Sequence, residues 1–160
     1  DLLRRIEQTG VNAVAIHARY IPQRPREKAH LHLLSQLSSV VQIPVIANGD
    51  CFEHEDIESI RQLTGCSSVM IARGAMWNPS IFSSDEQLRR EWSDPHVRAL
   101  HMLDSFDRLG ATMSQTRYLI QRAYGDESGD GQFMIALTKA LTIAEMRSLI
   151  QIQQQKPKKK

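Results

Sequence analysis

The chain has 160 residues, 41% of them hydrophobic and 24% charged, with a formal net charge of +2, which is the composition of a globular protein and excludes disorder-dominated and disulfide-rich classes. No apolar run approaches the ~20 residues that span a bilayer, and the opening DLLRRIEQTG lacks the regions of a secretory signal. Lys156, Lys158, Lys159 and Lys160 outweigh the small net charge, so the remaining residues are net negative and any nucleic-acid surface must be a local basic patch.

Leu2, Leu3 and Ile6 share one helical face that Gly10 ends. This reads as the second half of an amphipathic helix in a chain cut from something longer. Ala13–Ile16 is a short apolar strand running into His17, Ala18 and Arg19. Residues 20–27, YIPQRPRE, form a proline-broken loop, and helical spacing resumes over 29–41 through Leu33, Leu34, Leu37 and Val41. A second unit follows: a strand over 43–47 opened by Pro44 and ended by Asn48, Gly49 and Asp50, then a helix marked by Ile57, Ile60 and Leu63 before Gly65. The third strand, Val69–Ile71, is apolar without alternation, as for a parallel strand covered on both faces. It stops at Ala72, Arg73, Gly74 and Ala75, small residues around one guanidinium, a pattern suited to a phosphate.

This βα rhythm lacks hairpin signals and calls for right-handed crossovers and a parallel sheet. In each unit polar or glycine residues fall at the C-terminal end of the strand, the edge where barrels and open α/β sheets place their sites. Beyond Phe82 the pattern is helical only. Val97, Leu100, Leu103 and Phe106 mark one helix ending near Gly110. Ser114 reads as the N-cap of a second that runs through Leu119 and Ala123. Phe133, Leu137, Ala140 and Ala144 mark a third. Residues 126–131, DESGDG, read as an acidic turn, and 151–160, QIQQQKPKKK, as a solvated tail. Cys51 and Cys66 have neither metal-ligand spacing nor the number for a disulfide framework, which favours a reducing, cytoplasmic compartment.

Taken together, AVAIHAR at 13–19, IPVIANGD at 43–50 and SSVMIARGAMWNPSIF at 67–82 resemble the tRNA-dihydrouridine synthases, and MWNPSIF looks most like the eukaryotic branch acting on uridine 20 of the D-loop. The resemblance covers residues 1–150. It implies an FMN-dependent oxidoreductase, reduced by NADPH, that adds hydride and proton across the C5–C6 bond of a tRNA uridine. The implied fold is α/β: residues 1–82 as the C-terminal half of an FMN-binding (β/α)8 TIM barrel, 83–150 as a small all-helical tRNA-binding domain, and 151–160 as a disordered lysine-rich tail. Carried over to this chain, the family pattern places Asn48, Gly49, Asp50, Ala72 and Arg73 around the FMN phosphate and His17 on the flavin. Arg19 would face the substrate, and Arg24, Arg26 and Lys28 would meet RNA phosphates, as would Arg117 and Arg122 in the SQTRY helix. No metal is implied.

A complete barrel has eight strands and ~250 residues, so the resemblance starts partway through it. The family's proton-donating cysteine and strand-end lysine are expected upstream, and these residues alone are expected to be inactive. Neither Cys51 nor Cys66 stands in the context of that cysteine. Two other readings are a noncatalytic RNA-binding or scaffolding fragment and a different phosphate-binding barrel enzyme.

Overall fold

The computed structural model describes residues 2–24, 26–124 and 131–156, and the chain divides into two compact units, 1–75 and 76–160. The boundary falls before the one expected at residue 82, because the run after Arg73 is already helical and its later residues belong to the second unit.

The first unit is a mixed α/β layer containing α1 (Leu2–Glu7), β1 (Val14–His17), α2 (Leu31–Ser38), β2 (Val45–Asn48), α3 (His54–Thr64) and β3 (Ser68–Met70). The strands form a parallel sheet in the order β1-β2-β3, with Ile16 opposite Ala47, Ala47 opposite Val69, His17 opposite Asn48, and Asn48 opposite Met70. Residues in register share a face. Val45 and Ala47 are buried on one face, whereas Ala15, His17, Ser68 and Met70 on the other are exposed. The expectation that β3 is covered on both faces therefore fails at Met70, which is 43% exposed within this unit.

α2 and α3 pack together and tie their ends through the Ser38 hydroxyl, which donates to the Thr64 carbonyl at 2.9 Å. α2 begins at Leu31, later than helical spacing implied, and the backbone N–H groups of Ala29 and His30 before it donate to Asp50 and the Ala18 carbonyl at the strand ends. α3 opens on a reciprocal cap in which Asp56 accepts from the Phe52 and Glu53 N–H groups. It ends on Gly65 at φ 65°. The short α4 (Arg73–Trp77) follows β3.

In the second unit, after the last residues of α4, comes a 3-10 turn, Pro79–Phe82, capped by Asn78, whose side chain accepts from the Ser80 N–H and hydroxyl. Then come α5 (Glu86–Glu91), α6 (Pro95–Leu109), α7 (Met113–Tyr124), α8 (Gly131–Lys139) and α9 (Ile143–Gln154). Helices α6 to α9 enclose a core of Leu103, Ile120, Tyr124, Phe133, Leu137, Met146 and their neighbours. The single helix expected from Phe133 to Ala144 is two. Thr142 caps Glu145, and Glu145 in turn accepts from the Leu141 N–H, so a new helix starts there. Likewise Thr112, not Ser114, stands at the start of α7, exchanging hydrogen bonds with Gln115. Residues 151–154, read from composition as tail, complete α9, while residues 157–160 and the acidic turn at 126–130 lie outside the described residues. No helix among the described residues is long and apolar enough to cross a membrane.

Leu103 is fully buried and Leu109, on the same helix, is 77% exposed. Leu103→Ala is expected to cost ~2–5 kcal/mol through lost burial and a residual cavity, and Leu109→Ala within about 0.5 kcal/mol. Urea denaturation of the second unit's helices measures both.

Candidate functional site

The C-terminal ends of β1 and β2, with the turn after β3, carry most of the chemically active residues of the first unit. Across them runs the in-register row His17, Asn48 and Met70, and beyond it lies a cavity of about 410 Å³. Its walls include Arg19, Gly49, Asp50, Phe52, Ala72 and Arg73. That volume lies within the ~300–1,000 Å³ of small-molecule sites.

Asp50 organises this edge. Its Oδ1 accepts from Arg19 Nη2 and lies 3.5 Å from Arg73 Nη2, while its Oδ2 accepts from the Ala29 N–H at 2.6 Å. One carboxylate thus joins the end of β1, the approach to α2 and the start of α4. To reach all three, Asp50 adopts φ 48°, a left-handed conformation that Asp tolerates better than most residues. Burial raises the Asp50 pKa, but the Ala29 hydrogen bond, the Arg19 hydrogen bond and charge, and the Arg73 charge outweigh it, holding the carboxyl below its ordinary value.

Two glycines permit the close approach. Gly49 has φ 142°, and a Cβ there would meet the Ala29 Cβ at 2.9 Å. A Cβ on Gly74 would come within 2.6 Å of the Cys51 carbonyl oxygen. α4 therefore starts against the backbone that follows β2, which brings Arg73 beside Asp50 and over the Phe52 ring, 5.0 Å from its centroid.

Each residue singled out from sequence now has a position. His17, Asn48, Gly49, Asp50, Ala72 and Arg73 all line the one cavity. Arg19 lines it too, but its side chain is only 7% exposed and donates to the Glu27 carbonyl at 2.9 Å and to Asp50. It braces the site from within. Arg26 and Lys28 line an adjoining cavity of about 430 Å³ that shares Asp50, Phe52 and Arg73 with the first, whereas Arg24 lines neither. In the second unit Arg117 donates to the Ala140 carbonyl at 2.8 Å, while Arg122 is exposed and lies over Tyr118. Phe52, Met70 and the Ala29 N–H escaped the sequence reading. Met70 was recoverable from parallel register, but Phe52 and Ala29 carry no local signal.

Arg73, with its side chain 35% exposed at the cavity wall, is chemically suited to an oxyanion. The mixed lining of Asn48 and His17 with Met70, Ala72 and Phe52 suits a ligand that is part aromatic and part phosphate, and FMN fits this donor set. Cys51 also lines the cavity, but burial, reinforced by the Asp56 carboxylate, pushes its thiol up to about 11. A thiol so raised carries little thiolate near neutrality and is a poor nucleophile there. Among the described residues no cluster of three or more His, Cys, Asp or Glu side chains is arranged to hold a metal ion.

Two outcomes follow from these ionisations. Because the folded pKa of Asp50 is lowered, its contribution to stability is complete above the ordinary Asp pKa of about 3.9 and is lost as pH falls through the folded value. The stability difference between the parent and Asp50→Asn, measured by urea denaturation, is expected to be largest above about pH 5 and to shrink towards about pH 3. In a Cys66→Ser background, iodoacetamide should modify Cys51 slowly near neutrality and progressively faster as pH approaches about 11.

Comparison with known proteins gives a consistent result. The family model described as dihydrouridine synthase matches residues 1–155. A Mus musculus tRNA-dihydrouridine(20a/20b) synthase-like protein is 30% identical over 152 residues, covering 80% of this chain and 46% of the mouse protein. The Saccharomyces cerevisiae tRNA-dihydrouridine(20a/20b) synthase is 36% identical over 86 residues, covering 52% of this chain and 23% of the yeast protein. A tRNA-dihydrouridine(16) synthase of Cupriavidus necator is 35% identical over 81 residues, covering 51% and 25%. The chain spans less than half the length of each of these relatives.

Proposed function

The chain belongs to the dihydrouridine synthase family, and we propose on that premise that it forms the phosphate-binding side of an FMN site and an RNA-contacting helical unit in a tRNA-dihydrouridine synthase. The observation that carries this reading is the convergence of Arg73, Asn48, Gly49 and His17 on one cavity at the strand ends, with Asp50 fixing the arginines.

In this reading Arg73 holds the FMN phosphate by charge-assisted hydrogen bonds. Its alignment comes from Asp50 on one side and the Phe52 ring on the other. Gly49 and Ala72 keep side-chain bulk away from the phosphate, and Asn48 offers amide donors and acceptors along the wall. His17, one strand over and in register with Asn48, faces the ring end of the ligand. Arg19 orients Asp50, and Arg26 and Lys28 meet RNA phosphates at the neighbouring cavity. Bound FMN, recharged by NADPH, supplies the hydride chemistry that none of these side chains can provide. The NAD(P)+ in the names of the mouse and yeast relatives supports that reductant, and their 20a/20b designation supports a D-loop uridine of the position-20 group as substrate. The proton donor is not assigned to Cys51, which directly follows the Asn48-Gly49-Asp50 turn on the phosphate side.

Arg73→Ala is expected to weaken FMN binding roughly tenfold to a hundredfold, since a charge-assisted contact to phosphate contributes ~1.5–3 kcal/mol. Riboflavin, which has no phosphate, should be bound equally by parent and variant. Flavin fluorescence quenching measures both, and an unchanged FMN affinity would remove Arg73 from the phosphate site.

A further inference from the structure

The core-facing side of α7 is complete without Tyr118. Thr116, Ile120, Ala123 and Tyr124 are buried, and Tyr118 stands on the opposite side, 50% exposed, one turn before Arg122. The Arg122 guanidinium lies over the Tyr118 ring, 5.2 Å from its centroid, so the two exposed side chains form one cation–aromatic stack. Ser114 and Gln115, one turn earlier, continue this stripe with polar side chains. α7 contains no aspartate or glutamate, in contrast to α6 and α9, which carry Asp104, Asp107 and Glu145. Arg117 points elsewhere, its guanidinium tying α7 to the end of α8 through the Ala140 carbonyl. The positive charge presented beside the ring therefore belongs to Arg122.

We propose that Tyr118 and Arg122 form a stacking platform for one unpaired nucleotide of RNA, the base stacking against the exposed Tyr118–Arg122 pair and the adjoining phosphate meeting the Arg122 charge. The inference rests on the tRNA reading above and adds to it a specific preference for unstacked bases over duplex. An aromatic face attracts any base, because every base has a π-surface, and a neighbouring guanidinium adds both stacking and phosphate attraction. A-form duplex offers no free base face. The platform consequently distinguishes a splayed loop nucleotide from a paired one, a choice that a purely electrostatic patch does not make.

The test uses the whole chain and two RNA probes: a tRNA D-arm hairpin with 2-aminopurine in its loop, and a blunt duplex of equal length. The parent is expected to bind the hairpin more tightly than the duplex and to quench 2-aminopurine. Tyr118→Ala and Tyr118→Leu should each weaken hairpin binding about fivefold to a hundredfold and abolish the quenching, while Tyr118→Phe retains both. Arg122→Gln should weaken binding and flatten the salt dependence by about one phosphate contact. Tyr118 contributes nothing to the buried core, so circular dichroism should show each variant folded, and Tyr118→Leu supplies an apolar side chain of useful bulk if alanine perturbs the helix. Hairpin binding and quenching that survive Tyr118→Leu would overturn the platform and leave the tRNA reading standing. Absence of binding to hairpin and duplex alike would overturn both.

Discussion

The Asp50 carboxylate is the interaction on which the strand-end site depends. It contacts three segments far apart in sequence: Arg19 after β1, the Ala29 amide before α2, and Arg73 at the start of α4. Two arginines drawn to one point would repel each other, and an anion between them turns that repulsion into order. Partial burial strengthens the effect, because the same charges in bulk water would attract only weakly. The energetic balance is visible in the carboxyl itself, whose burial raises its pKa while its donors lower it further, leaving it ionised.

Backbone proximity makes that anchor possible. Gly74 lies against the Cys51 carbonyl and Gly49 against Ala29, both closer than any side chain would allow. A residue with a Cβ at either position would push apart the segments that Asp50 draws together. The site therefore has a steric and an electrostatic requirement, and the NGD and RGA runs meet both. Arg73 lies 3.5 Å from the same carboxylate oxygen that accepts from Arg19, and its side chain is more exposed than that of Arg19. One guanidinium is therefore almost enclosed and the other reaches the cavity wall.

The helical unit divides its arginines in the same way. Arg98 is buried and donates to the carbonyls of Trp92 and Ala123, joining the turn before α6 to the end of α7. Arg117 joins α7 to the residue after α8. Both satisfy carbonyls that the helix ends leave without intrahelical partners. Arg122 and Tyr118, on the outer side of α7, serve no such carbonyl in the structure described. A count of basic residues would weight Arg117 and Arg122 equally, whereas the packing separates a brace from a surface group.

Sequence by itself determined the parallel βα order, the polar and glycine residues at the strand ends, the helical character of the region after Phe82, and the family, which the matched family model supports. These properties are local or periodic: apolar runs, glycine at helix ends, and polar residues where a strand stops all lie within a few positions of one another. Where the prediction failed, a local signal competed with another. The apolar spacing through Phe133 and Ala144 overrode the Thr142 and Glu145 capping pair, and the polar composition of 151–160 hid the last turn of α9. Only the tertiary structure decided that Arg19 turns inward, that Asp50 serves three segments, that Phe52 lies beneath Arg73, and that Arg117 is a brace. Each of those outcomes joins residues distant along the chain, and whether a charged side chain ends on a neighbour, a carbonyl or solvent depends on which carbonyls and carboxylates the fold brings within ~3 Å of it.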